Sequence, residues 1–198
     1  MTEAVNRCDS NPGFLLGSYR TPMYDHKIPL LLFLNMSKLN RHPEYLLEAL
    51  LHESLHVVFF DVVLVRGIMP AGYRQGTGLA VRIPWGARGR FMDALRVTQT
   101  LHVYSYIALM YADMLRVGRR DHDETMSLLH ATMTRAHFFI AAGAHLRSDM
   151  TSDGAAMFDM LRRPYEFIAR DFLRHEFSPQ SFPMEFYVGD RLVESFAS

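Results

Sequence analysis

Apolar residues recur at helical spacing along most of the chain, and polar punctuation cuts the pattern into a few long elements. The first helix is predicted to begin at Pro43, a favoured first-turn residue, with Glu44 and Glu48 near its positive end. It runs to about Val65 and stops at Gly67, with Pro70 beyond. Its residues are apolar on almost every face, the pattern of a central, buried helix. A second long helix is predicted from about Arg90 to Val117, ending at Gly118. A third starts at Asp121, where Glu124 three residues on resembles a capping box, and continues to about Leu146. Ser152 to His175 reads as one or two further helices, interrupted at Pro164.

Strand signals are fewer. Ile28 to Leu34 is a short apolar run bounded by turn residues, read as a buried strand. The Gly-rich segment 71–89 is a loop holding one short strand within Leu79 to Trp85. Phe186-Tyr187-Val188 and Leu192-Val193 flank Gly189-Asp190, a terminal hairpin. The expected fold is mainly α: one helical domain spanning residues 1–198 with a small minor β-sheet.

Composition narrows the classes. Of 198 residues, 49% are hydrophobic and 21% charged, which excludes a disordered chain. A chain of this length buries about 70% of its unfolded surface and needs no disulfide to build a core. Formal net charge is zero, with 21 basic and 21 acidic residues, so no electrostatic footprint for nucleic acid exists. The longest apolar run is far short of a membrane span, and the polar N-terminus has no signal-peptide pattern. The single cysteine, Cys8, makes a reducing cytoplasm the expected compartment.

Embedded in the first apolar helix are His52, Glu53 and His56, which match His-Glu-x-x-His. Residues four apart share a helix face about 6 Å apart along the axis, so two imidazoles converge on one divalent metal. Glu53 points to a neighbouring face, where it can act on water or orient a ligand. With 10 His and 9 Glu in the chain, roughly 0.02 such matches are expected by chance. Three unpaired ionisable groups in so apolar a helix would cost several kcal/mol. The plainer alternative is two core histidines bonded to backbone with a surface Glu.

A metal needs a third protein ligand. The long metalloprotease signature would place Gly and His where Phe59 and Val62 stand, and no Glu occurs between His56 and Glu124 to serve a zinc-peptidase pattern. His102, inside the second helix, is therefore the candidate; alone, it would read as a core histidine. Asp61 faces the other side of its helix, and Asp93, near a helix start, suits a cap. His130 and His137 share a face of the third helix and read as core or partly exposed, with His145 a surface residue at the helix end. Among the arginines, Arg88, Arg90 and Arg96 surround the start of the second helix, and Arg135 reads as a solvent-facing residue of the third.

The runs Leu51-His52-Glu53-Ser54-Leu55-His56, Ile83-Pro84-Trp85-Gly86 and Leu101-His102-Val103-Tyr104, with Thr134-Arg135-Ala136-His137-Phe138 and Met150-Thr151-Ser152-Asp153-Gly154, resemble the HExxH-type 2-oxoglutarate-dependent peptide β-hydroxylases. The likeness covers roughly residues 45 to 155. It implies a zincin-like HExxH helix and a non-haem Fe(II) site on His52, His56 and His102, with Glu53 as the motif glutamate. It also implies an oxygenase that consumes O2 and 2-oxoglutarate to hydroxylate a peptide or small molecule in natural-product biosynthesis. Arg135 falls in the family's third-helix pattern and is the expected holder of 2-oxoglutarate. Three neutral imidazoles suit iron, zinc or copper alike. Two alternatives therefore stand: a zinc hydrolase in which Glu53 is general base, and a non-catalytic binding domain with a degenerate site.

Overall fold

In the computed structural model, residues 44–85, 90–174, 177–189 and 191–197 are described. The strand expected at 28–34 lies outside them. Helix α1 spans Glu44–Arg66. It ends as the sequence expects: Gly67 takes the left-handed conformation at φ 57°, and its N–H donates to the Val63 carbonyl. The chain divides into two compact units, Met1–Val58 and Phe59–Ser198, the division falling within α1. The expectation that α1 is buried all round is corrected. Leu55 and Phe59 are buried, but Leu47, Leu50 and Val58 are exposed, and Leu64 and Val65 keep 82% and 80% of their surface. An apolar composition cannot distinguish a surrounded helix from one with a greasy outer face.

In the second unit, strand β1 (Leu79–Arg82) pairs antiparallel with β2 (Phe91–Asp93). Helix α2 follows at once, Ala94–Val117, so the helix expected from Arg90 begins four residues later. Asp93 is the reason. Its Oδ1 accepts from the Arg96 N–H at 3.0 Å, and its Oδ2 accepts from the Gly76 N–H at 2.7 Å. One buried carboxylate thereby caps the helix and anchors the preceding loop. Gly118, at φ 64°, closes the other end.

Helix α3 spans His122–His145, with the Asp121 side chain accepting from the Glu124 N–H. A 3-10 turn, Arg147–Asp149, leads to α4, Ser152–Phe167. Pro164 does not interrupt α4 as expected. The helix passes through it, and the change of register follows at Ile168–Phe172, a π-helical turn closed by the Leu173 N–H on the Ile168 carbonyl at 2.8 Å. Thr151 caps α4: its hydroxyl accepts from the Gly154 N–H and donates to the Gly67 carbonyl. With the Thr151 N–H on Ile68, this ties the start of α4 to the end of α1.

The terminal hairpin forms as expected from β3 (Pro183–Val188) and β4 (Arg191–Ala197), turning at Gly189 with φ 59°. The sheet order is β2-β1-β3-β4, antiparallel throughout, with a bulge in the last pair near Phe186/Tyr187. One sheet face carries Val81, Met92, Met184 and Phe186 into a core with Val97 and Leu101 of α2, Phe138 and Phe139 of α3, and Phe158 and Leu161 of α4. The fold is mainly α with a minor sheet. No helix among the described residues is long and apolar enough to cross a membrane.

Candidate metal centre

The spacing of four brings His52 and His56 together as helix geometry requires. Their Nε2 atoms stand 3.1 Å apart and their ring centroids 4.8 Å apart, at 70°. Without an ion, one Nε2–H donates to the other nitrogen. Two nitrogens 3.1 Å apart, each bonded to one ion at about 2.1 Å, would subtend roughly 95° at it. The pair thus fits adjacent positions on one metal. Burial lowers the pKa of His52 to about 4, which leaves its imidazole neutral, the ligating form, at neutral pH.

Glu53 is the sharper feature. It keeps only 6% of its surface, and its Oε1 has no hydrogen-bond partner among the described residues. Burial raises its pKa. A carboxyl group so placed is costly in a purely structural role and is what a proton-handling residue beside a metal needs.

His102 lies in the second unit, on α2, with 6% of its surface exposed. Its ring sits 5.8 Å from Phe59 and 5.1 Å from Tyr106, the latter edge-to-face at 75°. Tyr106 is the neighbour one turn on that helical spacing gives, whereas the contact with Phe59 has no signal in the sequence. Phe59 follows His56 by three residues and His52 by seven, so all three fall on one stripe of α1. Among the described residues, no group of three or more His, Cys, Asp or Glu side chains is gathered as a metal site.

Arg135 is tied elsewhere. Its guanidinium carbon lies 5.9 Å from the Trp85 ring and 5.8 Å from the Tyr104 ring, and Nη1 donates to the Tyr104 hydroxyl at 3.4 Å. Tyr104 is two residues past His102, about 200° around α2. Arg135 is therefore held beside Tyr104, on another side of α2 from that imidazole.

Other candidates take the roles that chemistry suggested. Asp61 is exposed, and Asp93 is the α2 cap. His137, half-buried, shares a hydrogen bond between its Nδ1 and the Tyr165 hydroxyl, 2.9 Å away, a partner invisible in the spacing. His130 packs on Phe177. His145 is exposed at the α3 end, with Glu194 at 3.8 Å. Arg88 lies outside the described residues. No protein-family model matches the chain, and no curated protein or solved structure is a significant match to it.

Proposed function

We propose that this chain is an HExxH metalloenzyme in which His52, His56 and His102 hold one divalent ion and Glu53 moves the proton. Fe(II) is the favoured ion, and the favoured reaction is 2-oxoglutarate-dependent hydroxylation of a peptide or small molecule. The observation that carries the reading is the facing pair of Nε2 atoms at 3.1 Å beside a buried carboxyl group with one oxygen unpartnered among the described residues.

A bound iron ion would supply the redox chemistry and the open coordination positions. The chain's own residues bind and orient. Burial keeps His52 in its ligating form. Phe59 and Tyr106 restrict the tilt of His102. Glu53, its pKa raised by burial, is placed to take and return a proton. A donor set of imidazoles without a carboxylate ligand, with the motifs that resemble the peptide β-hydroxylases, favours the oxygenase.

One observation favours a second reading. A buried carboxyl next to a histidine pair also suits a zinc hydrolase, in which Glu53 deprotonates the attacking water. Anaerobic reconstitution with Fe(II), followed by oxygen-uptake and succinate assays with and without 2-oxoglutarate, separates the two. Uptake that requires 2-oxoglutarate supports the oxygenase. Peptide cleavage without oxygen uptake, abolished by a zinc chelator, establishes the hydrolase. Failure to retain about one metal per chain overturns both, and unchanged metal content in His102→Ala removes the third ligand.

A further inference from the structure

Arg82, Arg116, Arg120, Arg147, Arg162 and Arg170 each pair with a carboxylate. Arg135 does not. It is exposed, no carboxylate of a described residue pairs with it, and its company is two aromatic rings and one phenol. Those rings are fixed from below. Trp85 meets Phe138 and Phe182 edge-on at 5.0 and 5.2 Å, and Tyr104 stacks on Phe139 at 5.8 Å with 16° between planes. The guanidinium thus lies beside two packed rings, and no carboxylate of a described residue neutralises it.

A guanidinium carries five N–H donors in one plane, and among the described residues the Tyr104 hydroxyl engages one nitrogen of the fork. A fork of this kind matches the two oxygens of a carboxylate. The fork fits phosphate oxygens too, but one guanidinium balances one negative charge, which a monocarboxylate carries and a phosphate dianion exceeds. Trp85 is only partly buried, so an apolar surface adjoins the fork.

We propose that Arg135, Trp85 and Tyr104 form a binding site for a small carboxylate with an aromatic or apolar body, the carboxylate on the guanidinium and the body against the indole. The site is independent of the metal reading, since it lies on the other side of α2 from His102.

Trp85 is the only tryptophan in the chain, so the indole N–H region of a proton–nitrogen correlation spectrum holds one reporter, inside the site. The full-length protein is titrated with benzoate, with benzamide as the uncharged isostere, and with inorganic phosphate. Benzoate should shift the indole signal along a saturating curve, and the other two should not. Arg135→Gln should abolish the saturation. Arg135→Lys, which keeps charge and loses the fork, should bind at least about tenfold more weakly, and it carries the test if the glutamine variant misfolds. The site is refuted if benzoate gives no saturation, if either Arg135 variant binds benzoate as the wild type does, or if benzamide saturates equally. Saturation by phosphate refutes the carboxylate assignment.

Discussion

At Glu53, stability and chemistry pull in opposite directions. Burial without a partner for Oε1 penalises the ionised carboxylate, so at neutral pH the metal-free fold bears the cost of this group. Glu53→Gln keeps the shape and removes the charge. It should leave metal content unchanged and reduce turnover by about 10²–10⁴-fold. It should also raise the melting midpoint of the metal-free protein at pH 7.5, a combination expected of a group retained for chemistry. A lowered midpoint in calorimetry would mark Glu53 as structural. The motif itself was legible in the sequence because an interval of four fixes which face two side chains share. The packing of His102 on Phe59, and the seating of Arg135 on Trp85 and Tyr104, was not. Tyr106 is one turn from His102 on the same helix, but the Phe59, Trp85 and Tyr104 contacts join residues far apart in sequence, and no local periodicity encodes them.

Helix α4 is held by two close approaches. A Cβ on Gly143 would land on the ring of Phe158, and one on Gly154 would land on the Ile68 carbonyl. Helix propensity favours Ala over Gly by about 1 kcal/mol, so in open space either replacement would stabilise. Here overlap decides the sign. Gly154→Ala presses on backbone already bonded to Thr151 and should lose about 2 kcal/mol net, a fall of roughly 4–8 °C in midpoint. Gly143→Ala presses on a buried ring and should lose less. Equal or raised midpoints in thermal melts would mean that the helices part at little cost. Caps made most element ends legible: Asp121, Gly118 and Gly67 act as their residue types announce. Strand β2 was not legible, because Phe91-Met92-Asp93 continues the apolar rhythm of the helix after it and becomes a strand only by pairing with β1. Pro164 misled for a related reason. A proline removes one donor, and α4, packed through Phe158 and Leu161, survives that loss and shifts register four residues later.

Taken whole, the chain balances its charges at pH 7 with 10 histidines neutral, so acid adds positive charge steadily as those groups titrate. Among the described residues, His52 and His137 resist inside the fold. Burial lowers the pKa of His52 to about 4 and also lowers that of His137. An unfolded histidine takes its proton near pH 6.5. Below that value the unfolded state binds more protons than the folded one, and stability is lost as pH falls towards the folded pKa. At His137 the loss comes from burial, which penalises the imidazolium beside Tyr165, 2.9 Å from Nδ1. The melting midpoint should therefore fall as pH drops from 7.5 to 5. His137→Gln, which offers Tyr165 an acceptor that does not titrate, should flatten part of that fall and leave the rest to His52 and to general repulsion. Scanning calorimetry of wild type and variant across that range checks it. Parallel curves would show that the His137–Tyr165 contact does not couple protonation to folding.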